Sequence, residues 1–112
     1  MKCYGATDIG LVRSSNQDSY VIATNEAGDV FALVCDGIGG GNSGDVASQT
    51  AIHYFSEVFS SNRGFRDEQE ALTWIRYQVR KANDEIFSLA STKKEYQGMG
   101  TTLTGVLLIP QG

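Results

Sequence analysis

The chain has 112 residues, of which 41% are hydrophobic, and its 9 basic and 13 acidic residues give a net charge of −4. This length suits one domain with a buried core. The acidic balance argues against nucleic acid and against an anionic membrane surface as partners. There is no apolar run as long as a membrane span and no apolar signal-peptide core at the N-terminus. Two cysteines without a CxxC spacing disfavour zinc and a disulfide framework. We therefore expect a cytoplasmic protein.

Four short segments predict β-strands: residues 3–7, 19–25, 30–35 and 102–109. Side-chain character alternates in the second segment, which is typical of a strand with one buried face. A turn at residues 25–29 makes the third segment its expected hairpin partner. The apolar C-terminal half of the fourth segment predicts burial on both faces.

Two segments, residues 44–59 and 67–90, predict α-helices. The first has an apolar face that consists of Ala47, Ala51, Tyr54, Phe55 and Val58. In the second, Asp67 and Glu70 have the spacing of a capping box. An apolar stripe then repeats every three or four residues, at Leu72, Ile75, Val79, Ala82, Ile86 and Leu89. Helical stripes set among short strands predict a layered α/β fold with a mainly antiparallel sheet and both helices side by side on one sheet face.

The segment from Val34 to Gly44 carries the clearest chemical signal. The apolar run ends at the carboxylate of Asp36, and five of the next eight residues are glycine. A carboxylate beside permissive backbone suits a hard cation held by oxygen atoms. A plain Asp-Gly turn followed by a flexible linker is the alternative, and this segment alone leaves both interpretations open. Two other residues, Cys35 in the apolar run and the single histidine, His53, are expected to be a core residue and a surface residue.

Four motifs together resemble the bacterial branch of the protein phosphatase 2C family. They are RSSNQD at residues 13–18, VCDGIGG at 34–40, Gly44 with Ala47-Ser48, and GMGTTL at 98–103. Their order and spacing are more specific than one glycine-rich loop. The resemblance covers essentially all of the chain but only about the first half of the family's domain, so residues 1–112 are expected to be its N-terminal part.

The resemblance implies an α-β-β-α sandwich, with two mainly antiparallel sheets flanked by helices. It implies a metal-dependent serine/threonine phosphatase that hydrolyses phosphomonoesters of proteins with a metal-bound hydroxide. Two Mn²⁺ or Mg²⁺ ions would lie at one end of the sandwich. By this resemblance Asp36 bridges the two cations, the Gly37 carbonyl binds one of them, Asp18 acts through water, and Arg13 binds the substrate phosphate.

A second function class stays open, because the family's other metal carboxylates lie in the second half of its domain. A catalytically inactive half-domain that binds a partner or self-associates is the alternative. The isolated chain is expected to be weak or inactive as an enzyme. Residues 103–109 are expected to form an exposed sheet edge through which copies could associate. Nucleotide binding is disfavoured, because the glycine-rich segment lacks a P-loop ending.

Overall fold

The computed structural model describes the backbone of residues 2–7, 18–40 and 43–110, and the side chains of residues 19–40 and 43–110. The elements are β1 (Lys2–Thr7), β2 (Asp18–Thr24), β3 (Val30–Ile38), α1 (Ser43–Ser60), α2 (Glu68–Ala90), a 3₁₀ turn (Lys94–Tyr96) and β4 (Gly100–Ile109). All four predicted strands and both predicted helices are present in this order. None of the helices in these ranges is long and apolar enough to cross a lipid bilayer.

The four strands form one sheet in the order β1-β4-β3-β2, and every neighbouring pair is antiparallel. The predicted β2–β3 hairpin is confirmed. The prediction that β4 forms an exposed edge is wrong. β1 pairs with β4 from Lys2 opposite Ile109 to Thr7 opposite Thr104, so β4 is an interior strand. Within the described residues, the sheet edges are β1 and β2.

Helix α1 covers one face of the sheet and closes the core against it. Its apolar face is buried, as predicted, through Ala47, Ala51 and Phe55, and Phe59 adds to it. The Phe31 ring of β3 lies 5.8 Å from the Phe55 ring and 5.4 Å from the Phe59 ring, measured between centroids. Burial of each such ring contributes on the order of 2 kcal/mol. The alanines let the helix backbone approach the strands closely.

The apolar stripe of α2 predicted that this helix lies on the sheet beside α1. This prediction is wrong. The helix packs on the flank of α1, where the Trp74 ring meets Phe59 edge-on at 5.8 Å. A groove of about 1090 Å³ separates α2 from the sheet, and Val79 of the predicted stripe is 39% exposed. The physical reason is aromatic packing. Trp74 contacts Phe65 in the α1–α2 connection as well as Phe59, and these contacts stabilise the position of α2 against α1.

The capping pattern of α2 is confirmed only in part. The Asp67 carboxylate accepts a hydrogen bond from the Glu70 backbone N–H at 2.8 Å, as an N-cap should. The Glu70 carboxylate does not return to Asp67. It accepts from the backbone N–H and the Nε of Arg66 instead, and these bonds lower the pKa of Glu70.

A buried polar network ties the β2–β3 turn to the α1–α2 connection. The side-chain amide of Asn25 donates to Asp29 at 2.8 Å and to Asn62 at 2.9 Å. Its carbonyl oxygen accepts from the backbone N–H groups of Ala27 and Asp29. Asn25 and Asp29 are both buried, so each polar group in this turn requires its partner.

The sheet face opposite α1 is open and apolar. Its exposed side chains are Tyr20 (76%), Ile22 (67%), Val34 (50%) and Ile38 (48%). The prediction that β4 is buried on both faces is therefore wrong. Leu107 points toward α1 and is buried, whereas its neighbours Val106 and Leu108 are half-buried. Within the described residues, no second layer covers this face.

Candidate metal centre

The backbone register brings Asp18 and Asp36 together at one end of the sheet. They are opposite each other in the last pair of the β2–β3 ladder that the structure describes. On the other side of β3, Asp36 is opposite Thr102 of β4. The side chain of Asp18 and the whole of Arg13 lie outside the described residues. The predicted adjacency of Asp18 and Asp36 is therefore confirmed for the backbone. The functional roles of Arg13, Asp18 and Asp36 stay predictions.

Asp36 lies on the open face of the sheet. Side chains alternate along β3, so Asp36 shares a face with Val34 and Ile38, while Cys35 points toward α1. The Asp36 carboxylate is partly exposed, but its Oδ1 atom is buried. The Thr102 hydroxyl lies 3.5 Å from the backbone carbonyl of Asp36, to which it donates. Nothing in the sequence indicated that Thr102 lies beside Asp36, because a pairing between residues 66 positions apart leaves no local pattern.

Asp36 and Gly37 belong to strand β3, which continues to Ile38, past the predicted end at residue 35. The alternative interpretation, an Asp-Gly turn, is therefore wrong. The ladder continues because β4 begins early enough to supply partners, Thr102 for Asp36 and Thr101 for Gly37. A carboxylate on the last rungs of a paired strand is held more firmly than one on a free loop.

Close packing against α1 requires glycine at two positions after Asp36. A Cβ atom added to Gly37 would lie 1.8 Å from the backbone carbonyl oxygen of Gly44, in the first turn of α1. A Cβ atom on Gly39 would lie 2.2 Å from the Ser43 hydroxyl, and the φ of Gly39 is +153°. The glycines thus let the N-terminal turn of α1 lie directly against the backbone that follows Asp36.

The described side chains favour oxygen ligands at this end of the sheet. Cys35 is fully buried, and burial raises its pKa to about 12, although a hydrogen bond with Thr101 opposes the shift. A thiol in this state is a core residue, as predicted, and a poor metal ligand. His53 is exposed on α1, also as predicted.

The residues present fit one part of a site for a hard divalent cation. Such an ion prefers carboxylate and carbonyl oxygen, and Asp36 with the adjacent Gly37 backbone can supply both. Among the side chains that the structure describes, no three or more His, Cys, Asp or Glu residues group together as a metal cluster. The described residues therefore fit the predicted cation, but they do not complete its coordination.

Comparison with known proteins places this fold and these motifs among phosphatases. The family model for protein phosphatase 2C matches residues 12–112. The serine/threonine phosphatase stp of Listeria monocytogenes is 32% identical over 102 residues, which are 91% of this chain and 40% of that protein. The chain thus spans less than half the length of this relative.

Solved structures agree with the sequence relatives. The S. agalactiae serine/threonine phosphatase superposes with a TM-score of 0.78 at 29% identity, over 97% of this chain and 44% of that one. The catalytic domain of the serine/threonine protein phosphatase PstP, solved in complex with two manganese ions, superposes with a TM-score of 0.69 at 29% identity, with the same coverage. The predicted half of an α/β sandwich is therefore confirmed as a fold.

Proposed function

The chain belongs to the protein phosphatase 2C family, and from this premise we propose that it is the N-terminal portion of a metal-dependent protein serine/threonine phosphatase. The observation that carries the proposal is the position of Asp36, which lies opposite Asp18 at the end of β3 with Gly37 packed against α1. The proposed substrates are phosphoserine and phosphothreonine in proteins.

The proposed roles are those that the family resemblance implies, and the chemistry of the residues is consistent with them. Asp36 would hold the cations through its carboxylate, the Gly37 carbonyl would be a further oxygen ligand, and Asp18 would contribute through water. The cations, Mn²⁺ or Mg²⁺, would turn water into a nucleophile near neutral pH and neutralise charge on the phosphoryl group. The planar guanidinium of Arg13 is suited to hold phosphate oxygens with two hydrogen bonds and to orient the ester for attack.

A variant of Asp36 tests the proposal directly. In a complete phosphatase domain that contains this chain, Asp36→Asn should weaken Mn²⁺ binding by more than about 100-fold, because a ligand matters more than the outer residues that support it. Phosphopeptide hydrolysis should fall with it. Arg13→Ala should reduce turnover while Mn²⁺ affinity, measured by titration calorimetry, stays unchanged. Wild-type Mn²⁺ affinity in Asp36→Asn would contradict the proposed function.

The 112-residue chain by itself should bind Mn²⁺ weakly and hydrolyse phosphate esters poorly. Octahedral cations of this kind take about six oxygen ligands, and the proposed residues supply only three. Titration of the isolated chain with Mn²⁺ checks this expectation. Binding at micromolar affinity would show that further ligands lie within these residues.

The open apolar face supports a second proposed function, a self-associating or partner-binding half-domain. Tyr20, Ile22, Val34 and Ile38 are large apolar side chains exposed on the same sheet face, and clustered exposed apolar residues mark interaction surfaces. In the family's sandwich a second sheet would cover this face. For the chain alone, we propose that a second copy takes that place, through this face rather than through the β4 edge predicted from the sequence.

A further inference from the structure

The first two turns of α1 contact both strands that carry the proposed metal residues. Gly44 lies against Gly37, one residue after Asp36 on β3. One helical turn later, the Ser48 hydroxyl lies 3.2 Å from the hydroxyl of Ser19, one residue after Asp18 on β2. Ser48 is fully buried and Ser19 is 7% exposed, so water does not compete for this contact.

The Ser19–Ser48 contact belongs to a small network of hydrogen bonds that joins β2 to the first turns of α1. The Gln49 amide donates to the Ser19 oxygen at 2.7 Å, and the Ser48 hydroxyl donates to the backbone carbonyl of Asp45 at 3.1 Å. Between the two serines either hydroxyl can be the donor, and in both cases the contact joins β2 to α1. The chain of bonds runs from Gln49 through Ser19 and Ser48 into the first turn of α1.

This chain of bonds acts on the rung most prone to opening. Asp18 and Asp36 are the last pair of the β2–β3 ladder within the described residues, at the end away from the hairpin turn, and the ends of ladders open more readily than their centres. Ser19 is in the next rung, opposite Cys35. A buried bond from Ser19 to α1, together with the Gly37–Gly44 contact on the other strand, opposes separation of the two strand ends.

We propose that Ser48 is a positioning residue for the metal centre: through Ser19 it keeps the terminal rung closed and so fixes the distance between Asp18 and Asp36. This inference rests on the proposed function, because it assigns Ser48 to the support of those two carboxylates. Ser48 itself touches neither the cation nor the substrate. Mutation of outer groups that set ligand orientation commonly weakens metal binding by about 10- to 100-fold.

Amide hydrogen exchange in the 112-residue chain tests the structural half of the proposal. In Ser48→Ala, the backbone amides at residues 19–21 should exchange at least about tenfold faster, whereas those at residues 23 and 24, at the far end of β2, should not change. Uniform acceleration along β2 would show a general loss of stability and would overturn the proposal. Ser60→Ala is the matched control, because its hydroxyl also bonds a helix carbonyl but lies exposed at the other end of α1.

Mn²⁺ binding in a complete domain tests the functional half. Ser48→Ala should weaken binding by about tenfold, and the Ser19→Ala/Ser48→Ala double variant should be no worse than either single variant, because both remove the same bond. Should Ser48→Ala fail to fold, Ser19→Ala and the exposed Gln49→Ala carry the same expectations. Wild-type affinity in Ser48→Ala, where Asp36→Asn abolishes binding, would refute the positioning role alone. Unaltered binding in Asp36→Asn would instead refute the proposed function.

Discussion

Gly37 shows how one residue links the site to the helix that supports it. Its missing side chain lets the β3 backbone pass directly against Gly44, so the strand residue next to Asp36 and the first turn of α1 are in contact. No other amino acid fits, because the nearest atoms belong to backbone and cannot rotate away. Glycine is therefore required at position 37 because a side chain would overlap Gly44, and not because the backbone there needs a positive φ.

Gly37→Ala should lower the free energy of unfolding by about 3 kcal/mol, the upper part of the range for overpacking. Urea denaturation followed by circular dichroism measures the change. Gly100→Ala is the control, since a Cβ atom there has nothing within 4 Å and the residue pairs in the same end of the sheet. An equal loss in both variants would mean that the contact with Gly44 is not the cause.

At the scale of elements, the β2–β3 hairpin is held at both ends by polar groups that reach other elements. At the site end, Ser19 bonds to α1. At the turn end, Asn25 bonds to Asn62, which follows α1, while its carbonyl oxygen closes the turn itself. Both ends of the hairpin are therefore fastened to α1 or to the chain that follows it, and the hairpin and helix should unfold as one unit.

Asn25→Ala should cost about 2–3 kcal/mol of stability, because it leaves the buried Asp29 carboxylate and two backbone N–H groups with one partner fewer each. Thermal and urea unfolding measure the loss. Asn83→Ala is the control, because Asn83 is an exposed amide within α2. A loss below about 1 kcal/mol, the size of a single net hydrogen bond, would show that water replaces the network.

For the whole molecule, the distribution of apolar surface is the dominant feature. Helix α1 covers one face of the sheet, and the other face exposes Tyr20, Ile22 and Val34 beside Asp36, the proposed metal ligand. If the proposed function is correct, the part of the domain that covers this face should also supply the remaining cation ligands, because Asp36 lies on that side of the sheet. The remaining ligands of the proposed site and the cover for the exposed apolar residues are thus expected on the same face of the sheet.

The isolated chain should therefore self-associate, and Ile22→Lys should weaken the association by about tenfold or more, because a buried charge without a partner is costly. Sedimentation velocity over a range of concentrations measures this. Phe87→Lys is the control, since Phe87 is 72% exposed but lies on α2, away from the open face. A wild-type chain that sediments as a monomer would contradict the expectation, as would equal effects of both substitutions.

Local pattern determined much of this protein from its sequence. Short apolar runs, alternation in β2 and helical periodicity predicted the four described strands and both helices, because these signals act over a few residues. The motifs with Asp18 and Asp36 indicated the family, and the hairpin predicted that these two residues meet.

What only the tertiary structure decided depends on distant residues. The pairing of β1 with β4, the packing of α2 on the flank of α1, the Thr102 position beside Asp36 and the Ser19–Ser48 bond all join segments far apart in the chain. These contacts join residues that are far apart in the chain, so local sequence patterns do not reveal them. For that reason the sequence wrongly predicted α2 on the sheet and β4 at its edge.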